Sequence, residues 1–207
     1  MDINQNTSSK LTKEQGEHLI KEARKYLQSL LSGKDHKISS SEEWLNKRYG
    51  LFVTLHTHPT HDLRGCIGFT EPIYPLHKAL KEAASSAALY DPRFPKVTKE
   101  ELNNLIIEIS ILTPPQIIPH QTPKELLEKI TPKKDGLILK TETAHGLFLP
   151  QVWDQLPKKT EFLENLSYKA GLFDKDAWQH KDTEIYKFHV QIFEESAPNS
   201  KITEIKE

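Results

Sequence analysis

Apolar residues recur along this chain in two periods. Over 12–32, Leu19, Ile20, Ala23, Leu27, Leu30 and Leu31 fall on one stripe, with Glu17, Lys21, Arg24, Lys25 and Gln28 elsewhere. That spacing predicts an amphipathic helix, opened by a capping box of Thr12 and Gln15 and stopped by Gly33. Leu76, Ala79, Leu80, Ala83, Ala84, Ala87 and Ala88 predict a second helix over 75–89, its packing face made of small residues. Capping boxes at Thr98/Glu101 and Thr122/Glu125 open two shorter helices, the latter running to about 130 with Pro123 at its first position. Thr160 opens another, stopped by Gly171.

The other period is two. Leu51 to His56 reads as a strand, and Leu63 to Phe69 as its hairpin return, with a bend or bulge at the glycines. Over 104–112, Leu105, Ile107, Ile109 and Ile111 share one face, and Ile106, Glu108, Ser110 and Leu112 the other; such a strand belongs in the middle of a sheet. Residues 136–141 and 146–150 form a second hairpin around 142–145. Glu184 to Glu194 reads as one long strand with Tyr186, Phe188, Val190 and Ile192 on one face. Strands that come as hairpins argue for an α+β class: mixed, largely antiparallel sheets with packed helices. Core elements at both chain ends favour one interwoven body over 13–194, with two intertwined subdomains whose boundary the pattern does not assign. Residues 1–12 and 195–207 read as flexible tails.

Composition narrows the functional classes. Twenty-eight basic against 29 acidic side chains give a net charge of -1, so no general basic field recruits nucleic acid. No run approaches the roughly 18 apolar residues of a membrane span. The start of the chain lacks the apolar core of a signal peptide. A single cysteine excludes an intrachain disulfide. The expected location is the cytoplasm.

Candidate chemistry gathers in Leu63-Arg64-Gly65-Cys66-Ile67-Gly68, which holds the lone cysteine and two of the eight glycines. Cys66 is the candidate catalytic group, a nucleophile if Arg64 lowers its pKa; the competing reading is a small buried cysteine in a packed strand. Arg64, beside the amides of Gly65 and Gly68, suits a carboxylate or phosphate; the competing reading pairs it with Asp62, Asp91 or Glu108. Asp91 and Arg93 sit in a loop stiffened by Pro92 and Pro95, as a preorganised charged pair or a structural one. Candidate ligand-binding residues are therefore Arg64, Gly65, Gly68, Asp91 and Arg93. His56, His58 and His61 precede the motif, but with Pro59 among them they read as a solvated hairpin tip, and no metal is assigned. No phosphate-loop or dinucleotide fingerprint is present, and no cofactor is indicated.

The hexapeptide resembles the signature of the AMMECR-type domain family, named after the Alport-syndrome chromosomal-region protein. Gly50 to Leu55, Asp91-Pro92-Arg93-Phe94, Glu108 to Leu112, Phe148 to Val152, Lys169 to Leu172 and Trp178 follow in the family's order, so that the resemblance covers 13–194. It implies an α+β fold with two intertwined subdomains and no assigned activity. It also implies the company of a Memo-type protein and a radical S-adenosylmethionine enzyme, since prokaryotic members are called AmmeMemoRadiSam system protein A. Two functional classes follow. One is an enzyme or enzyme subunit holding a small anionic ligand at the motif. The other is a non-catalytic module that docks protein or nucleic acid, with Lys10, Lys13, Lys21, Arg24 and Lys25 as a basic face.

Overall fold

The computed structural model describes residues 10–34 and 36–205. The chain divides into two compact units. The first comprises the chain through Thr113 and again from Gln191; the second is Pro114–Val190.

In the first unit, α1 (Lys13–Leu31) begins at Thr12, whose side chain and that of Gln15 make the reciprocal bonds of the expected capping box. It ends before Gly33, whose φ of 69° suits a residue without a β-carbon. β1 (Gly50–Thr57) pairs antiparallel with β2 (Leu63–Phe69) on one side and β3 (Leu105–Leu112) on the other. With β8 (Val190–Glu195) and β9 (Ile202–Ile205) they form a sheet ordered β2-β1-β3-β8-β9. Leu51, Val53 and Leu55 of β1 and Ile107, Ile109 and Ile111 of β3 bury their side chains in one core with Leu19, Ile20, Ala23 and Leu27 of α1 and the alanine face of α2 (Leu76–Leu89). Each of the large side chains contributes about 1.5–3 kcal/mol by leaving water. Period-two alternation then fixes the opposite sheet face, where Phe52, Thr54, His56, Glu108 and Ser110 lie. The short helix α3 (Lys99–Leu102) carries its predicted capping box, Thr98 with Glu101.

In the second unit, β4 (Gln116–Ile117), β7 (Glu184–Phe188), β5 (Gly136–Lys140) and β6 (His145–Phe148) form a sheet in that order, with every pairing antiparallel. Its core gathers Leu126 of α4 (Pro123–Lys129), Phe162, Leu163 and Leu166 of α5 (Lys159–Lys169), and Trp153. The Trp153 ring stacks on Phe162 at 3.7 Å and its N–H donates to the Asp135 carbonyl at 2.7 Å.

Four expectations change. The predicted strand 184–194 is two strands in two sheets, β7 and β8, separated at His189, whose ring meets Asp135 at 2.9 Å. Its alternation does not continue: Val190, Gln191, Phe193 and Glu195 are the buried positions of β8, and Ile192 is only partly buried. The C-terminal stretch expected to be a flexible tail carries β9, paired with β8, and Ile202 is buried in the first core. At the other end Leu11 is buried and exchanges both backbone bonds with the Gln191 side chain; residues 1–9 lie outside the described ones. Arg24 is not part of a basic surface. It is buried, pairs with Glu195, and donates to the carbonyls of Leu102 and Leu105, because a guanidinium inside a core must satisfy its donors there.

Candidate functional site

The motif forms β2, and its register positions every group. Gly65 lies opposite Leu55 and Leu63 opposite His56, so that Arg64 is the extra residue of a bulge. The irregularity thus falls at Arg64, immediately before the first glycine. A bulge re-aims the side chain it carries. Arg64 turns into a nine-tenths-buried position, where its Nε and Nη2 meet both oxygens of Glu101 at 2.5 and 3.0 Å and Nη2 also donates to the Pro95 carbonyl at 2.8 Å. Its partner is therefore Glu101, not Asp62, Asp91 or Glu108. Nη1 is buried without a hydrogen bond among the described residues.

Both glycines are filled from behind. A β-carbon on Gly65 would lie 2.3 Å from the Ala87 carbonyl of α2, and one on Gly68 would lie 2.1 Å from the Leu51 carbonyl. Their lack of a β-carbon thus serves close approach: α2 and β1 occupy the space beside them.

Cys66 sits on the outer edge of the sheet, and the loop after α2 closes that edge. The Cys66 N–H donates to Asp91 Oδ2 at 2.9 Å, and Arg93 Nη2 donates to the Cys66 carbonyl at 3.1 Å. Arg93 Nε and Nη2 also donate to the two Asp91 oxygens at 2.9 and 2.7 Å. One ion pair thereby gives the edge strand a donor and an acceptor, as a neighbouring strand would. Bonds from Arg93 and from the Cys66 amide hold the Asp91 carboxyl far below the usual carboxylate range. Asp91 in turn raises Arg93. The Arg93 side chain remains half exposed, at 52%. Arg64 and Arg93 lie 5.7 and 5.5 Å from the centre of the same Phe94 ring.

Across the sheet, Thr54 of β1 lies opposite Cys66 on one side and Glu108 of β3 on the other. The Thr54 hydroxyl donates to Cys66 Sγ at 3.2 Å. Burial pushes the thiol's pKa up; Thr54 opposes this, Glu108 adds to it, and Arg93 opposes it. Cys66 is accordingly a neutral thiol at neutral pH, not a preformed thiolate. Thr54 and Glu101 escaped the sequence reading as site residues, and Glu108 entered it only as a possible partner of Arg64. Glu101 looked committed to its capping box, and Thr54 was visible only as a polar position in an apolar strand. A cavity of about 440 Å³ lies in the second unit, bordered by His120, Thr122, His180 and Lys181, and includes none of the signature residues.

The family model AMMECR1 matches residues 20–193, which include the whole of this arrangement. The chain belongs to the AMMECR1 family. Protein MJ0810 of Methanocaldococcus jannaschii is 47% identical over 201 residues, covering 95% of this AMMECR1 chain and 98% of the relative. Protein MK0488 of Methanopyrus kandleri is 44% identical over 202 residues, covering 94% and 95%. The crystal structure of uncharacterized protein PH0010 from Pyrococcus horikoshii superimposes with a TM-score of 0.77 at 41% identity, over 95% of this chain and 99% of that one. The α+β fold of this AMMECR1 domain is thus shared with a solved relative, and none of these three names specifies an activity. Among the described residues no helix is long and apolar enough to cross a membrane.

Proposed function

We propose that the AMMECR1 domain binds a small anionic ligand, carrying a carboxylate or phosphate, beside the Arg64–Cys66 bulge and the Asp91–Phe94 loop. The observation that carries this reading is Arg64 Nη1, a charged donor buried without a partner among the described residues. Leaving such a donor unpaired costs about 1–3 kcal/mol, which an anion would offset. Arg93 is the exposed, Asp91-fixed guanidinium of the same site, and Phe94 is the ring both cations flank. Cys66 contributes a neutral thiol next to them. Gly65 and Gly68 act by letting α2 and β1 close on the strand. The cytoplasm, and a pathway with a Memo-type protein and a radical S-adenosylmethionine enzyme, complete the proposal.

Native mass spectrometry of the purified chain tests it. A retained small-molecule mass is expected in the parent, and its loss in Arg93→Ala and in Arg64→Ala/Glu101→Gln, the latter chosen to keep the local charge balanced. Retention of that mass by both folded variants would remove the two arginines from the site.

A further inference from the structure

The hairpin tip that follows β1 holds more than solvated histidines. His61 has a φ of 60°, left-handed for a residue with a side chain, and strain of that kind clusters at functional sites. A local set of bonds enforces it: His61 N–H to the Thr57 carbonyl at 2.8 Å, Thr57 N–H to the Asp62 carbonyl at 2.9 Å, and Thr57 with Thr60 hydroxyl to hydroxyl at 2.8 Å. This backbone folds the His61 ring back over His56, with centroids 4.1 Å apart and planes 17° from parallel.

A third group arrives from far along the chain. Glu194 of β8 places Oε1 2.6 Å from His61 Nε2. One ligand atom each from His56, His61 and Glu194 lie within 4.8 Å of one another. Behind them Glu108 Oε2 stands 3.4 Å from His56 Nε2. Both ring nitrogens of His56 are buried, and neither makes a hydrogen bond among the described residues. A buried imidazole with two idle nitrogens is an incomplete arrangement.

We propose that His56, His61 and Glu194 bind a divalent first-row transition metal of the Zn²⁺ or Fe²⁺ class. Two imidazoles and one carboxylate are the donor set such ions take when three protein ligands leave a position open to water or substrate. Glu108 supplies the outer carboxylate that accepts a ligating imidazole's spare N–H and fixes its tautomer. The two carboxylates facing the two imidazoles carry the negative charge a dication cancels. Metal–ligand bonds of about 2.0–2.1 Å put tetrahedral donor atoms about 3.3 Å apart, so on loading the donor atoms must draw together and the stacked rings must turn until both point at the ion. His61, with its side chain half exposed, is free to make that movement. His58 lies in the same segment but outside the cluster.

The test uses the full chain, free of any affinity tag, stripped with a chelator and titrated with Zn²⁺ alone. One equivalent is expected to bind, and to raise the melting temperature. His61→Asn tolerates the left-handed backbone while removing the imidazole; it and Glu194→Gln should each weaken binding by roughly 100-fold or more, and Glu108→Gln by roughly 10-fold. His58→Ala should leave it unchanged. Failure to take up stoichiometric Zn²⁺, parent-like affinity in both His61→Asn and Glu194→Gln, or loss of binding in His58→Ala would each overturn the assignment.

Discussion

The carboxylate of Asp91 accepts the amide proton of Cys66 at 2.9 Å while its other oxygen accepts from Arg93, so a single side chain ties the motif strand to the loop after α2. Asp91 is buried, and its folded pKa lies far below the ordinary value of about 3.9. A carboxyl depressed on folding leaves the unfolded chain holding more protons between the two values, so stability rises with pH there. The contribution is complete well above the ordinary pKa and fades as pH falls from about 5 towards the folded value. Asp91→Ala should cost about 2–3 kcal/mol at pH 7 and flatten this acid limb. Thermal melts from pH 7 down to pH 2 check it; an acid limb as steep in the variant as in the parent would exclude Asp91 as its source.

Cys66 should alkylate slowly. Burial and the Glu108 charge oppose the thiolate, and the Thr54 hydroxyl is its one hydrogen-bond donor among the described residues. The rate of reaction with iodoacetamide should titrate above the pKa of about 8.5 of a free cysteine. Thr54→Val should lower the rate further at neutral pH, because it removes the donor that favours the thiolate. A folded protein reacting as fast as a free thiol at pH 7 would contradict the described environment.

Gly65→Ala should destabilise the first unit by about 2 kcal/mol, within the range for an overpacked position. Its β-carbon would lie 2.3 Å from the Ala87 carbonyl, and backbone yields less readily than a side chain. Denaturant midpoints at unchanged slope give the measurement. A loss below half a kcal/mol would mean that α2 withdraws without penalty.

The sequence was most informative about local geometry. The capping boxes of Thr12 and Thr98 read correctly because their partners lie within one turn. The two faces of β3 read correctly because alternation is a property of one strand. Asp91 and Arg93 were legible as a stiffly held charged pair, through the prolines that flank them, but not their contact with the Cys66 backbone. What alternation cannot convey is which strand lies beside which. Glu194 therefore gave no sign of reaching His61, nor Glu101 of holding Arg64 while also capping α3. The unbroken apolar rhythm of 184–194 concealed a change of sheet because a strand leaving one core for another need not interrupt its composition.

Removal of β9 by ending the chain after Ser196 should cost about 2 kcal/mol or more. Buried Ile202 is lost from the core, and Gln191 loses the Glu204 carboxylate that accepts its amide at 2.9 Å. Glu195→Gln should cost about 3–5 kcal/mol, since it leaves the buried Arg24 charge uncompensated. Urea unfolding followed by tryptophan fluorescence reports both, and a truncated chain as stable as the parent would return this segment to the status of a tail.

The position of β8 between β3 and β9 also bears on synthesis. The second unit, Pro114–Val190, is contiguous and can begin to fold as soon as it clears the ribosome. The first unit is written earlier but must wait, because β3 keeps an open hydrogen-bonding edge until residues 190–195 emerge. Arg24 waits with it, its Glu195 counter-ion lying 171 residues downstream. A nascent chain released short of that point would carry an unpaired strand edge and a bare internal charge, and its natural fate is capture by chaperones or proteolysis.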